Sequence, residues 1–595
     1  MLLVAGYFAV QAVLAVRELQ QGVIQLEQVR TTLGLSPALW TPERVKSATG
    51  LQNQAMSRIA PASSRLQSNP LLKIADATPG VHDQAQAVLD LAAASDDAGV
   101  ATGDLVRIAA RSPDPHPGAQ AGASTQRLLA LLGGSQPLLT DAQGHLDGAV
   151  RRLRGDLARP LLPPLASRVR IALDALGPAR TAVDEAAAIG RYLPTALGMH
   201  GSRSYLLLFA NPWEVRPTGG FFGAVGVITF QNGEPEGLQV INELDIAQPL
   251  GTRVPVPPPL AARLILPNNA MDIGDSGWDP DFRSSAALAE QLYRAGTGRS
   301  VDGVVEVDPY AISALLAVTG PVDVPSYGSF TSANFFSKLN TLVNVDQYPS
   351  GSGKSALTPI TEAVMAHVVD SPARLLPTLL ATGESSAAGR HVQVLFNDAA
   401  LAAAAHRAHL DGAIAQPGIS TDYLMVVDAN VGGNKDDQFI SKRTDMKVEV
   451  SPNGLAEHEV ILTYHYPAGK VDPGLSPGAD PAYRDYVRFV LPETSTMQGF
   501  YDVMGDGGRS GSIEDISVEE GKRVIGTFFR LSPGQSIKLR LFYETPVGNG
   551  HDYRLFVQKQ AGIASRELTV EVSDPGGVVR RTASGRRDRQ MRMSW

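Results

Sequence analysis

The chain of 595 residues contains no cysteine. This absence excludes disulfide staples, thiolate metal ligands and a cysteine nucleophile. Aromatic residues make up 6% and charged residues 19% of the chain, whereas hydrophobic residues reach 44%, a balance typical of folded globular proteins. The formal net charge of −8 lacks the basic excess that nucleic-acid binding requires, so we expect no nucleic-acid partner. The length is too great for one hydrophobic core and indicates several domains.

Long apolar runs are scarce, and the clearest one opens the sequence. Met1 to Val16 carries no charge, and the first charged residue is Arg17. A membrane-spanning helix needs about 20 apolar residues, so we predict a transmembrane anchor over 1–16 that lacks its first residues. The alternative is a buried core helix. No second run follows, which predicts a single-pass protein of the cell membrane with the bulk of the chain extracytoplasmic.

The region 17–199 is predicted to be helical. Its apolar residues recur at spacings of three and four, as at Val169, Leu173 and Leu176. Proline and glycine clusters such as Pro163-Pro164 divide it into separate helices. We interpret it as a stalk or bundle that lifts the next domain off the membrane, and the alternative is a helical domain with another role.

The pattern changes within 200–438, which we predict to be an α/β domain. Tyr205 to Ala210 is a continuous apolar run of the kind expected in a buried strand. Asn232-Gly233 predicts a tight hairpin turn. The strand Val301 to Val307 is followed by Asp308-Pro309, which predicts a helix N-cap and first helical residue. Alternation of strands and helices favours an α/β layer.

The remaining sequence is predicted to be β-rich. Tyr423 to Val427 is expected to close the α/β sheet, and seven short strands over 439–575, separated by turns such as Pro533-Gly534, fit an immunoglobulin-like β-sandwich. The arginine-rich tail 576–595 has few core-forming residues and is predicted to be disordered; it can contact anionic polymer or phospholipid headgroups. The fold class is therefore multidomain α+β, with an anchor, a helical stalk, a central α/β domain and a C-terminal sandwich.

A turn-rich segment between two predicted strands is the first candidate site. It places a Gly-Gly pair close to a cation, so that backbone amides and a guanidinium can converge on one anion. The alternative is that the glycines only form a tight strand junction. The candidate ligand-binding residues are Asn211, Glu214, Thr218, Gly219 and Gly220, with Arg216 as the candidate catalytic cation.

Two further loops carry candidate chemistry. Asp275 and Asp279 belong to an acidic cluster that can hold a hard divalent cation such as Mg²⁺ or take a catalytic role, whereas Asp281 is expected to cap the next helix. Asn430, Asn434 and Lys435 lie in a Gly-Gly loop that suits either anion contact or an interdomain turn. Gly351 to Ser355 resembles a phosphate loop, but Tyr348 stands where that loop needs glycine, so we favour a flexible turn.

These motifs, taken in order, resemble the bacterial "domain of unknown function 4012" (DUF4012) family. The resemblance runs from Tyr205 to Asp437 and includes N-x-x-E-x-R-P-T-G-G-F at Asn211 to Phe221 and N-x-G-G-N-K-x-D at Asn430 to Asp437. It also includes D-x-x-W-x-P-D-F at Asp275 to Phe282. The resemblance implies a membrane-anchored protein, often encoded near polysaccharide genes, without an established activity.

The sequence is more distantly similar to the LytR-CpsA-Psr family of cell-wall glycopolymer transferases. The stretch Val301 to Val324 follows the pattern of that family, and Arg216 stands in the place of its first pyrophosphate-contacting arginine. This similarity implies a LytR-CpsA-Psr-like α/β domain that binds a polyprenyl-pyrophosphate lipid. However, Arg216-Pro217-Thr218 lacks the aspartate of the family's Arg-x-Asp, and its Pro-Arg-Asp step is absent.

Two hypotheses follow. The first is a cell-envelope protein that binds or scaffolds cell-wall or exopolysaccharide components without catalysis. The second is a phosphotransferase-like enzyme that moves a glycopolymer from a polyprenyl-pyrophosphate carrier to the wall, in which Arg216 and Lys435 neutralise phosphate and Asp275 and Asp279 hold the cation. Both require these residues to meet at one polar pocket, and the missing acidic positions favour the first.

Overall fold

The structure of the chain is a computed structural model. It describes residues 2–33, 41–111, 121–246, 249–264, 266, 269–344, 356–372, 375–418, 421–475, 478–504, 507–510, 512–547, 552–574, 577–584 and 586–594. The segment Gly351 to Ser355 lies outside these ranges. The chain divides into two compact units: the first comprises Met1–Ser202, Gln231–Glu234 and Val369–Pro377, and the second comprises Arg203–Phe230, Pro235–Val368 and Thr378–Trp595.

The first unit is built from helices. Helix α2 begins with Thr41 as N-cap and Pro42 at its first turn, and Ala48, Ala55 and Ile59 lie on its buried face. Small residues on this face allow close packing: α1 and α4 pack against α2, and α6 packs against α4 and α7. The helices are α1 (Leu2–Leu33), α2 (Pro42–Ser68), α3 (Pro70–Asp76), α4 (His82–Ala110), α5 (Ala121–Gly134), α6 (Gln136–Leu157) and α7 (Pro163–Ala196).

The predicted anchor over 1–16 is not supported. Its residues begin α1, which continues to Leu33 instead of ending near the first charge. Ala15 and Leu19 are buried in one apolar cluster with Ala55 and Ile59 of α2. Among the residues that the structure describes, no helix combines the length and the apolar character needed to cross a membrane.

The second unit begins with a five-stranded sheet of order β3-β2-β1-β4-β7. Strands β1 and β4 are parallel, whereas β1 pairs with β2 and β4 pairs with β7 in antiparallel register. Asn232 and Gly233 form the predicted hairpin turn with positive φ angles. The strands are β1 (Arg203–Asn211), β2 (Phe221–Gln231), β3 (Glu234–Asn242), β4 (Gly303–Val307) and β7 (Val392–Phe396), with the small hairpin β5 (Val322–Val324) and β6 (Gly328–Phe330).

Helices accompany this sheet. Asp281 caps α9 by accepting the Arg283 N–H at 3.0 Å, and Asp308 caps α10 by accepting the Tyr310 N–H at 2.9 Å, as predicted. The buried face of α9 packs on β1 and β4 through residues such as Ala286 and Leu292. The helices are α8 (Pro258–Ala261), α9 (Phe282–Thr297), α10 (Pro309–Thr319), α11 (Phe335–Asn344), α12 (Leu357–Val369), α13 (Leu376–Ala388) and α14 (Ala399–Arg407).

The same unit continues into a two-sheet sandwich. One sheet has seven strands in the order β13-β12-β16-β10-β9-β18-β19, and the other has six in the order β14-β15-β11-β8-β17-β20. Apolar side chains from both sheets form one core. The strands are β8 (Asp422–Val427), β9 (Ser441–Val450), β10 (Leu455–His465), β11 (Tyr483–Pro492), β12 (Thr496–Met504), β13 (Gly507–Ser510), β14 (Asp515–Glu519), β15 (Lys522–Leu531), β16 (Ser536–Pro546), β17 (Asp552–Gln558), β18 (Glu567–Asp574), β19 (Gly577–Ser584) and β20 (Arg589–Ser594).

Two predictions about this region are wrong. Strand β8 does not close the α/β sheet, because it pairs with β11 and β17 at the centre of the sandwich. The parts of the predicted disordered tail 576–595 that the structure describes, 577–584 and 586–594, are ordered, because β19 pairs with β18 and β20 pairs with β17. Apolar residues stand between the arginines of the tail, and two of them, Val579 and Met591, pack against the sandwich core, as expected of strands whose side chains alternate between two faces. The sandwich is consequently larger than the predicted seven-stranded one.

Met591→Ala tests the ordered tail. Truncating a partly buried side chain on the core should lower the free energy of unfolding by about 1–2 kcal/mol, measured by urea denaturation. Arg580→Gln, at an exposed position of β19, should change little. Equal stability of the Met591 variant and the parent would contradict the strand assignment.

Candidate functional site

The turn between β1 and β2 is held in shape by its own polar groups. The Asn211 side chain accepts the Trp213 N–H at 3.1 Å, and the Asn211 carbonyl accepts the Glu214 N–H at 3.0 Å. The Gly219 N–H donates to the Arg216 carbonyl at 2.9 Å. At Gly220 a β-carbon would collide with the Asn211 backbone, so this position requires glycine. The glycine pair is therefore part of a tight strand junction.

Arg216 lies at the centre of the site and is 1% exposed. Its Nε donates to Asp275 Oδ1 at 2.7 Å, and its Nη2 donates to Glu214 Oε1 at 3.1 Å. Its Nη1 donates to the carbonyl of Asn430 at 2.7 Å, and the guanidinium lies over the Phe221 ring, 5.4 Å from its centroid. The three candidate loops therefore meet at this one guanidinium.

The neighbouring carboxyl groups keep the Arg216 guanidinium protonated. Burial opposes the charge on Arg216, but Asp275 and Glu214 outweigh this effect and raise its pKa above the ordinary value. Burial raises the pKa of Glu214, and the charges of Arg216 and Lys435 partly offset the rise. An isolated charge in such a place would be costly, so the set is held together by pairing.

The loop after β8 binds the β1–β2 turn through both backbone and side chains. The Asn430 N–H donates to the Val215 carbonyl at 3.0 Å, and the Val215 N–H donates to Asp437 Oδ2 at 3.1 Å. The Asn430 side chain donates to Asp437 Oδ2 at 2.9 Å and to the Asn434 carbonyl at 2.9 Å. This loop joins the α/β sheet to the sandwich within the second unit.

The remaining candidate residues of these loops also form hydrogen bonds with other groups of the protein. Asn434 Nδ2 donates to the Ala482 carbonyl at 3.1 Å, and the Lys435 N–H donates to Asp472 Oδ2 at 2.9 Å. Thr218 donates from both its N–H and its hydroxyl to the Gly277 carbonyl, at 3.3 and 3.2 Å. Polar groups of the motifs are thus bonded to the protein itself.

The acidic loop, which carries the predicted Mg²⁺ ligands Asp275 and Asp279, contacts other groups of the protein. Asp275 is engaged by Arg216, whereas Asp279 accepts the Asp281 N–H at 2.8 Å as part of the approach to α9. Burial raises the pKa of Asp279 to about 6, which weakens it as a cation ligand at lower pH. Among the described residues, no group of three or more histidine, aspartate or glutamate side chains is arranged to hold a metal ion.

A buried carboxyl beside the turn was missed by the sequence reasoning. Glu306 on β4 faces Gln393 on β7, whose Nε2 donates to Glu306 Oε2 at 2.5 Å and to the Thr218 carbonyl at 2.9 Å. Burial raises the pKa of Glu306 well above its ordinary value. A β-carbon at Gly219, whose φ is +148°, would collide with this carboxyl. A lone glutamate within an apolar strand was the available signal.

A second missed cluster surrounds Asp428. This carboxylate pairs with Arg566 and with Lys442 at 3.1 Å, and it accepts the Tyr464 hydroxyl at 2.6 Å. Burial opposes its charge, but Arg566 and Lys442 outweigh burial and lower its pKa. Lys442 also pairs with Asp437 at 2.7 Å, which connects this cluster to the loop that holds Arg216.

Lys559 lies immediately after β17, in a segment that contacts both the β1–β2 turn and the loop after β8. Its Nζ donates to the carbonyls of Gly389 and Gln560 at 2.8 and 2.9 Å. Burial lowers its pKa to about 7. The neighbouring Gln560 donates to the carbonyls of Asp428 and Arg216 at 2.7 and 3.2 Å. The segment after β17 therefore also contacts the β1–β2 turn, through Gln560.

Arg216→Met tests whether the cluster is structural. Removing one partner of a buried ion pair leaves Asp275 and Glu214 uncompensated, which should lower the free energy of unfolding by about 3–5 kcal/mol in urea denaturation. The surface pair of Arg443 with Asp445 supplies the control, and Arg443→Gln should leave stability nearly unchanged. Equal effects of the two substitutions would contradict the assignment.

Lys559→Met tests the buried amine through pH. The folded pKa of about 7 lies below the ordinary 10.5, so the unfolded state binds more protons between these values. The contribution of Lys559 to the free energy of unfolding should therefore rise with pH over that window, with a limiting slope of about 1.4 kcal/mol per pH unit. The stability difference between parent and variant measures it, with exposed Lys538→Met as background. A flat difference would contradict the burial of the charge.

Comparisons with known proteins support part of the resemblance. The family described as "Protein of unknown function (DUF4012)" matches residues 200–343, which contain the β1–β2 turn and the acidic loop. The similarity to the LytR-CpsA-Psr family receives no such support. No curated protein matches the chain.

Similar solved structures add little. Two structures of a mutant M1 zinc metallopeptidase from Deinococcus radiodurans, one with a Tyr-Ser-Ala substrate, match at 11% identity and a TM-score of 0.17. Each match covers 27% of this chain and 43% of the metallopeptidase chain, so the chain spans less than half the length of those proteins. A similarity this low carries no argument about fold or activity.

Proposed function

We propose that the chain is a non-catalytic protein of the bacterial cell envelope that binds or scaffolds polysaccharide. One observation carries this proposal: the guanidinium of Arg216 is buried, and its N–H groups donate to other groups of the protein. The polysaccharide and the location outside the cytoplasm are expectations from the DUF4012 resemblance, and they do not depend on residues 1–16 forming an anchor.

The engagement of Arg216 argues against transfer chemistry. A transferase of the LytR-CpsA-Psr kind needs a guanidinium that can reach a pyrophosphate. Moving Arg216 out would strand Asp275, which is 2% exposed, together with Glu214. Uncompensated buried carboxylates cost about 3–5 kcal/mol, a penalty that substrate binding would have to offset.

The motif residues have a clear role in a scaffold. Arg216, Asn430 and Asp437 join the β1–β2 turn to the loop after β8, so the α/β sheet and the sandwich form one unit. A fixed arrangement of two layers can present extended surfaces to a polymer with little loss of conformational entropy on binding. In this proposal the motifs preserve geometry, and recognition takes place on the exposed surfaces that they hold in position.

A transfer and binding assay separates the two hypotheses. The purified chain is incubated with a polyprenyl-pyrophosphate-linked glycan, a wall acceptor and Mg²⁺, and transfer is followed by chromatography. We expect no transfer, and we expect glycan binding in calorimetry that persists in a metal chelator. Because binding would not use Arg216, Arg216→Lys should retain it at temperatures where circular dichroism shows a folded protein.

The opposite result has a distinct signature. Mg²⁺-dependent transfer that disappears in the folded Arg216→Lys variant would overturn the proposal and support the glycopolymer transferase.

Protease accessibility in intact cells and in spheroplasts tests the location separately. Degradation from outside is expected, whereas full protection until lysis would contradict an extracytoplasmic position.

A further inference from the structure

A cavity lies between the two sheets of the sandwich. Its walls include Leu424 on β8, Thr444 on β9 and Leu568 on β18. The segments 559–566 and 586–588, which each cross from one sheet to the other, also contribute to it. The cavity volume is about 40 Å³. A buried water needs about 10–15 Å³, so the space holds about three waters or one small polar group.

The lining of this cavity is rich in basic residues. Lys559, Arg566, Arg587 and Arg589 contribute to it, and no carboxylate does. Apolar neighbours such as Ile563 reduce the local dielectric constant, which strengthens the repulsion between those side chains of the lining whose positive charge is not paired. An anion in the cavity would relieve that repulsion.

The nearest carboxylates are already occupied. Asp428 accepts Arg566 and Lys442, and Asp588 pairs with Arg390 at 3.3 Å while it accepts the Lys559 N–H at 2.8 Å. Within the described part of the chain, Arg587 and Arg589 have no ion pair with an acidic side chain. The positive charge of the tail therefore reaches the cavity without internal compensation.

Two residues that line the cavity each carry a buried polar atom with no hydrogen-bond partner among the described residues. These atoms are the Nε of Arg589 and the hydroxyl of Thr444, a residue that is 1% exposed. A buried polar atom left unpaired costs about 1–3 kcal/mol. Both atoms can donate to an oxygen acceptor, and both residues line the same small space.

We propose that this cavity binds an oxyanion of the phosphate class, contacted by the guanidinium groups of Arg587 and Arg589 and by the Thr444 hydroxyl. A planar guanidinium offers paired N–H donors that match phosphate oxygens. The cavity admits one such group, and the rest of a larger ligand extends outward past the exposed Arg587. This site belongs to the sandwich, so the inference is independent of the Arg216 cluster and of the function proposed above.

Phosphate binding to the full chain tests the inference. The melting temperature is followed while inorganic phosphate replaces chloride at constant ionic strength, and affinity is measured by calorimetry. Stabilisation should rise with phosphate because the anion binds only the folded state. The double variant Arg587→Gln/Arg589→Gln should bind at least about tenfold more weakly.

A matched control carries the same loss of charge at another place. Arg580→Gln/Arg581→Gln removes two exposed arginines of β19, outside the cavity lining, and should bind phosphate as the parent does. Thr444→Val guards against misfolding of the tail variants. It removes an unpartnered hydroxyl, so it should preserve or increase stability in chloride while it weakens phosphate binding.

The outcomes are distinct. No phosphate-specific stabilisation of the parent, or equal losses in the two arginine pairs, would overturn the site and leave waters in the cavity. Glycerol 3-phosphate and a glycerol phosphodiester then identify the source among positive results. Binding of the monoester alone indicates a free or terminal phosphate, and binding of the diester indicates a phosphate within a polymer.

Discussion

The pairing of Arg216 with Asp275 and Glu214 is the constraint on which the second unit depends. A buried guanidinium is tolerable only when carboxylates and carbonyls surround it, and here those acceptors come from the acidic loop, from its own turn and from Asn430. Satisfying this one charge therefore requires three distant stretches of chain to converge. Electrostatic necessity, added to apolar burial, explains why the α/β sheet and the sandwich share one compact unit.

Around that pair, buried charge continues into the sandwich. Asp437 contacts both the Val215 N–H and Lys442, and Lys442 leads to Asp428 and Arg566. Removal of one member leaves another unpaired, so a connected network of this kind fixes geometry more than it adds net stability. In the proposed scaffold role, such a network holds the exposed surfaces in fixed positions.

The sequence motifs indicated which segments meet, but not that these segments would bond to one another. The expected meeting of Arg216 with Asp275 and the Asn430 loop is present, but the protein's own groups fill it. Among the described residues, no three-carboxylate or histidine group supports the Mg²⁺ role of Asp279, and no helix is long and apolar enough to support the anchor over 1–16. The residue type determines what a side chain can bind. Whether it binds a ligand or another group of the protein depends on neighbours that are remote in sequence, such as Gln393 beside Glu306.

Local chemistry determined the features that need only nearby residues. Asp281 and Asp308 cap their helices, and Asn232-Gly233 turns its hairpin, because each acts on backbone within a few positions. Tertiary structure alone decided that β8 joins the sandwich and that the arginine-rich tail becomes β19 and β20. A strand's partner is set by long-range register and by burial on both faces, and those quantities exist only after the chain has folded.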